Sequence, residues 1–302
     1  MPQSSDIDPD THKPSVALHI GAHKTATTHF QHSLDAYEEA LAGRGVHFYG
    51  PTKLRQPECS LIDLFGLQLP GAKPKPTRPP AEQRAFMIGH GHRLLLSDEN
   101  FIGNLQTKAG ETRMPIYPDA ATRIAALSEA IDLGPMDIFL GIRHPAHYRI
   151  STYSQLLMAG DPLPFRTYLE KAPLQAIYWP GLIARIRNAP GVGRIIVWKY
   201  EDYTALFDTL VARMTLTDLQ VAPIAHIAHR GLSERAVEAT MQRAAQEPGR
   251  GFGREARQAH PIAEGHPAFM PFSQDELAAT TADYDKQQSD IARIKGVEIL
   301  RP

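Results

Sequence analysis

An α/β fold, with a central parallel sheet of four to five strands flanked by helices, is what the sequence predicts, and two observations predict it. Short, wholly apolar runs recur along the chain, and segments with apolar residues at helical spacing stand between them. A strand covered by helices on both faces loses the alternation of a half-exposed strand, so a continuous apolar run is the pattern such a sheet requires.

The first run, Val16 to Ile20, ends at Gly21 and reads as a core strand feeding a turn. From Thr27 or Thr28 onward, Phe30, Leu34, Tyr37 and Leu41 predict one helix, stopped by Gly43 and Gly45. Val46 to Tyr49 predicts a second strand. A proline-rich loop follows at 70–80, where Pro70, Pro74, Pro76, Pro79 and Pro80 break regular structure. Leu94 to Leu96 form the next buried run and open into Ser97-Asp98-Glu99-Asn100, before a helix over Ala120 to Ile131. Met136 to Ile142 is a strand that runs directly into Arg143-His144-Pro145, with helical spacing from Ala146 through Leu157. A strand over Gly193 to Trp198 precedes helices at Glu201–Met214, Leu232–Ala245 and Ser273–Ile294. In such a sheet ligands bind beyond the carboxy ends of the strands, so the loops at 21–28, 97–101 and 143–151 should converge on one cleft.

Residues 15–302 are expected to form a single domain, behind a disordered N-terminal tail at 1–14. With 32 Lys plus Arg against 33 Asp plus Glu, the global charge is near neutral and argues against a nucleic-acid partner; any anion site must be built locally. The single cysteine, Cys59, has no partner for a disulfide or a thiolate zinc site, which fits a reducing compartment. The polar first fifteen residues lack the order of a secretory signal, and no apolar run has membrane-spanning length, so a cytoplasmic location is expected. Oligomeric state leaves no signature in this sequence.

Between the first strand and its helix stands Gly21-Ala22-His23-Lys24-Thr25-Ala26-Thr27-Thr28. Backbone amides at a helix start form a ready anion site, to which a lysine and three hydroxyls add donors. A nucleotide-triphosphate loop requires a Gly-Lys pair followed by Ser or Thr, and no such pair is present, which disfavours a nucleotide kinase or NTPase. The alternative for the loop is a capped helix start, with Thr27 or Thr28 satisfying a free amide.

The segment His23-Lys24-Thr25-Ala26-Thr27-Thr28 resembles the 5'-phosphosulfate loop of sulfotransferases that use 3'-phosphoadenosine 5'-phosphosulfate (PAPS), usually Pro-Lys-Ser/Thr-Gly-Thr-Thr. It departs at His23 and at Ala26, and an alanine in the glycine position works if its φ is negative. Arg143 to Tyr153 resembles the family's 3'-phosphate motif, an arginine at a strand end and a serine eight positions later, met here by Arg143 and Ser151. A guanidinium offers a fork to phosphate, and a serine two turns into the helix shares its side. The resemblance covers residues 16–202 well and the last third loosely. It implies a P-loop-like nucleotide-binding architecture, PAPS as donor with adenosine 3',5'-bisphosphate as product, and no metal. Lys24 is implied to contact the bridging oxygen and sulfuryl group, with Thr25, Thr27 and Thr28 on the 5'-phosphate. The acceptor would be a small molecule or carbohydrate bearing a hydroxyl or amine, and related enzymes show how widely acceptors vary.

Family members place their catalytic base near Ser97-Asp98-Glu99-Asn100, and Glu99 is the candidate; Asp98 should point away, because neighbours leaving a strand face opposite sides. Val197-Trp198-Lys199-Tyr200-Glu201-Asp202 resembles the family strand that ends in Tyr-Glu-Asp, in a structural role. The four arginines between Arg243 and Arg257 stand where the family closes a loop over the nucleotide, although a surface loop is the simpler reading. Of the fourteen histidines, His90, His92, His144 and His147 lack the helix-borne pair and carboxylate of a zinc site. His19, His29 and His32 flank the first loop and read as packed or solvated. A non-catalytic protein that binds adenosine 3',5'-bisphosphate fits the same residues.

Overall fold

The computed structural model describes residues 14–56, 78–104, 114–225, 231–247, 249 and 251–302. The expected tail, apart from Pro14, lies outside the described residues, as do Cys59 and positions 70–77 of the proline-rich stretch. In chain order the elements are β1 (Ser15–His19), α1 (Thr27–Asp35), α2 (Glu38–Ala42), β2 (Val46–Tyr49), α3 (Pro51–Leu54), α4 (Pro80–Ile88), β3 (Arg93–Ser97), α5 (Ala120–Ile131), β4 (Met136–Ile142) and α6 (Pro145–Ala159). They continue with α7 (Phe165–Lys171), α8 (Trp179–Arg187), β5 (Val192–Lys199), α9 (Tyr203–Thr215), α10 (Glu234–Gln246), α11 (Phe252–Ala259), α12 (Gln274–Ile291) and β6 (Val297–Ile299).

The six strands form one sheet in the order β2-β3-β1-β4-β5-β6, every pair parallel. The α/β class holds, with one strand beyond the four or five expected. That strand, β6, is a three-residue edge pairing only with β5, too short to leave a periodic signal. Successive residues of β1 serve opposite faces: Val16 and Leu18 join Leu94, Leu96, Ile138, Leu140, Ile124 and Ile183 in one core. Ala17 joins Leu95, Phe139, Trp198, Phe30, Leu34 and Leu210 in the other. A third apolar cluster, around Tyr153, Phe165, Tyr168, Ala236 and Phe272, packs α6, α7, α10 and α12 beside the sheet.

The single helix expected after the first loop is two. Tyr37 leaves the helical conformation at φ −117°, and its hydroxyl accepts the Ala222 amide at 3.1 Å, so a tertiary contact outweighs the continuous apolar period. The chain runs from β1 out to β2, back through β3 beside β1, and then across to β4 on the far side. This reversal brings the carboxy ends of β3, β1 and β4 side by side, which is where open parallel sheets hold ligands.

Candidate functional site

The loop after β1 is held from below. Ala22 donates its amide to the Gly141 carbonyl at 3.0 Å, which ties the loop to β4. Thr25 is buried and its hydroxyl donates to the Ala22 carbonyl at 2.6 Å, so that side chain braces the loop rather than facing outward, and only its backbone is left for a ligand. Gly141 makes room for this packing: a Cβ there would stand 3.0 Å from Thr25 Oγ1. Ala26, expected to need a negative φ, has φ 65°, and Lys24 has φ 69°. The left-handed conformation costs a non-glycine residue roughly 1–2 kcal/mol, and in alternation with right-handed residues it is the backbone form from which anion nests are built. No side chain caps α1, so neither Thr27 nor Thr28 fills the role of helix cap.

A cavity of about 830 Å³ opens above this loop and is lined by His23, Lys24, Ala26, Thr27 and Thr28 from it, by Glu99, and by Arg143 and Ser151. The three strand ends expected to converge therefore do so. Asp98 does not line the cavity; it accepts from the Asn100 amide and side chain, both at 2.8 Å, and caps the short 3-10 turn Glu99–Ile102. Glu99 leaves that turn on the cavity side, with Gln31 Nε2 at 3.5 Å from its Oε2.

Arg143 joins the two predicted segments directly: its Nη1 donates to the Lys24 carbonyl at 2.8 Å. The guanidinium lies 4.2 Å from the centroid of the Tyr200 ring, and Trp179 Nε1 donates to the Arg143 carbonyl at 2.9 Å. Its Nε is buried and, among the described residues, has no hydrogen-bond partner. Beyond Tyr200, Glu201 accepts the His144 amide at 3.0 Å and the Tyr284 hydroxyl at 3.3 Å, so the Tyr-Glu-Asp segment buttresses the arginine strand.

Among the described residues four cationic side chains, Lys24, Arg143, Arg254 and Arg257, line the cavity against one carboxylate, Glu99. Among the described residues none of the four forms an ion pair with a carboxylate. Burial lowers the Lys24 ammonium to about 8, with Arg143 adding repulsion and Glu99 opposing it. Burial also lowers His23, against the pull of Glu99.

Arg254 and Arg257 stand on α11, a helix where the sequence favours a surface loop. Their signal was the local excess of arginine; what placed them is Gly253, where a Cβ would lie 2.7 Å from the Leu157 carbonyl, so α11 sits directly against α6. Arg243, in contrast, is exposed and paired with Glu247 and Glu255. Tyr117, another residue not singled out, bonds His23, and Gln155 extends the polar side of α6 beyond Ser151.

Each histidine near the loop has a partner. His19 is buried against Phe30 and Trp198, bonded to Ser97 Oγ at 2.8 Å, and burial lowers it to about 3. His29 bridges the Tyr203 hydroxyl and the Ile224 carbonyl, and His32 lies 3.4 Å from Asp35. The His144 and His147 rings are 4.8 Å apart, but among the described residues no group of three or more His, Cys, Asp or Glu is gathered for a metal ion. Among the described residues no helix is long and apolar enough to cross a membrane.

No protein-family model matches the chain, and no curated protein matches it in sequence. Among solved structures it is similar to a sulfotransferase from Alicyclobacillus acidocaldarius, at 17% identity over 72% of this chain and 86% of that one, with a TM-score of 0.42. It is also similar to retinol dehydratase in complex with androsterone and the inactive cofactor PAP, at 14% identity over 96% of this chain and 83% of that one (TM-score 0.34). A second retinol dehydratase structure, with retinol and PAP, has 13% identity over 96% of this chain and 84% of that one (TM-score 0.28).

Proposed function

We propose that the protein is a sulfotransferase that moves a sulfuryl group from PAPS to a hydroxyl or amine of a small-molecule or carbohydrate acceptor. The observation that carries this reading is that Lys24 and the Arg143–Ser151 pair line one cavity, with Arg143 bonded to the lysine's own carbonyl. One strand-end loop can then hold the 5' end of a nucleotide while the next holds its 3'-phosphate. The surplus of cations that, among the described residues, form no ion pair with a carboxylate suits a ligand with phosphates at both ends. The donor, when bound, supplies the sulfuryl group and a phosphate leaving group.

The chain's residues divide the remaining work. Glu99 takes the acceptor's proton as its oxygen or nitrogen bonds to sulfur, and the bond from sulfur to the bridging oxygen breaks on the opposite side. Lys24 and the first amides of α1 meet the negative charge that collects on the departing phosphate, where fixed donors stabilise the transition state more than the ground state. Lys24 is suited to this because a half-buried ammonium is poorly solvated and strengthens its interaction with an incoming anion.

The test is transfer of labelled sulfate from PAPS to a library of phenols, amines and saccharides, run beside labelled phosphate transfer from ATP with magnesium. Sulfate transfer that Glu99→Gln abolishes is the expected result. Nucleotide binding without transfer to any acceptor would instead mark a non-catalytic binding protein, and phosphate transfer would mark a kinase.

A further inference from the structure

Two residues of the first loop, Lys24 and Ala26, hold left-handed conformations without being glycine. Such residues persist only where their surroundings over-determine them. The question is what holds this loop.

The Tyr117 hydroxyl accepts the His23 backbone amide at 3.1 Å and meets the same residue's Nδ1 at 2.8 Å, while the two rings stack at 5.7 Å and 15°. The same hydroxyl lies 2.9 Å from that of Tyr148 on α6. Tyr148 packs edge-on against Trp179, Trp179 donates to the Arg143 carbonyl, and Arg143 donates to the Lys24 carbonyl. The contacts therefore close a ring from the first loop through Tyr117, α6, α8 and the residue after β4 back to the first loop.

Counting donors and acceptors makes this ring specific. A phenol has one proton and two lone pairs. All three bonds at Tyr117 are satisfied together if it donates to Nδ1 and accepts from the His23 amide and from Tyr148. That arrangement needs a neutral imidazole, the form that burial favours.

We propose that Tyr117 is a positioning residue: its hydroxyl, bonded to the amide and imidazole of His23, holds the first loop in the left-handed conformation that presents its amides to an anion. The histidine thus replaces a rigid proline with a side-chain clamp, and the clamp compensates for alanine where glycine would be free to turn. The inference extends the proposed nucleotide site, but the conformation of the loop can be measured without any ligand.

The experiment compares the wild type with Tyr117→Phe, with Ala26→Gly and with the double variant. Amide hydrogen exchange across residues 21–28 is measured in ligand-free protein, and affinity for adenosine 3',5'-bisphosphate is measured by calorimetry. The expected result is that Tyr117→Phe speeds exchange in this loop and weakens affinity about tenfold. Ala26→Gly relieves the left-handed strain in either background, but it should gain far more after Tyr117→Phe, where it restores most of both losses, than in the wild type, a coupling that ordinary destabilisation would not produce. Unchanged loop exchange in Tyr117→Phe, or a double variant no better than the single one, overturns the proposal. Should Tyr117→Phe fail to fold, His23→Phe keeps the stacked rings and removes the Nδ1 contact, and the same exchange result is expected. If the wild type binds no bisphosphate, the functional reading fails, and the exchange measurement alone decides the clamp.

Discussion

At the amino ends of the strands Arg93 is buried, reaches Asp137 at 3.4 Å and donates to the Met214 carbonyl, while Arg194 adds a second pair to the same carboxylate at 3.0 Å. At the carboxy ends Lys24, Arg143, Arg254 and Arg257 gather around a cavity with Glu99 as the one carboxylate lining it among the described residues. One sheet thus carries guanidinium groups held by a carboxylate at one end and, among the described residues, cations without an ion pair at the other. Buried charge with partners keeps a fold in register, whereas buried charge without them is a cost that a bound anion can offset. The contrast separates residues whose loss should unfold the protein from residues whose loss should leave it folded and inactive.

The largest effect is expected from Lys24→Met. Transfer should fall about 10²–10³-fold, as for loss of a transition-state donor, while the melting temperature of the free protein stays level or rises. The sign follows from linkage. Lys24 is lowered from 10.5 to about 8 in the folded protein, so between those values the unfolded chain binds the extra proton and stability rises with pH. Below about 8 the charged lysine is therefore a burden on the empty protein, and a melting temperature well below wild type would contradict this. The same shift predicts that nucleotide affinity weakens as pH rises through about 8, and that binding near that pH takes up protons, which calorimetry in buffers of different ionisation enthalpy detects.

Asp137→Asn is the mirror experiment. Two guanidinium groups would lose their shared carboxylate, at a cost of about 3 kcal/mol, readable as a lower denaturant midpoint, while the affinity for nucleotide stays unchanged. A large affinity change with intact stability would dissolve the contrast between the two ends. Arg143→Ala should act mainly on binding, weakening adenosine 3',5'-bisphosphate by roughly 10–100-fold, as for removal of a charge-assisted contact, with a smaller fall in saturated turnover. Calorimetry beside steady-state rates separates the two.

Much of the scaffold was legible because its signals are local. Val46–Tyr49, Met136–Ile142 and Ala120–Ile131 have the bounds that apolar runs and helical spacing predict. Glu99 lines the cavity while Asp98 caps the turn that Glu99 begins, as alternate directions from a strand end lead one to expect. What escaped was set by tertiary contacts. The left-handed Ala26 follows from a hydroxyl 94 positions away from His23, and nothing in the residues 23–28 announces it. Arg254 and Arg257 belong to the site because Gly253 lets α11 lie on α6, a contact that no periodicity encodes. No helix is read from the sequence at α8, although Trp179, Leu182, Ile183 and Ile186 are all buried and Pro180 stands in its first turn, where its missing amide is tolerated.

The central claim, that two strand ends grip opposite phosphates of one nucleotide, is tested most directly by thermal shift with adenosine 3',5'-bisphosphate, 5'-AMP and ATP. Ligand binding to the folded state raises the melting temperature by mass action. The expected result is a clear rise with the bisphosphate, little with 5'-AMP or ATP, and loss of that preference in Arg143→Ala. Equal shifts from the bisphosphate and 5'-AMP in the wild type would contradict it, because the 3'-phosphate would then find no hold at Arg143.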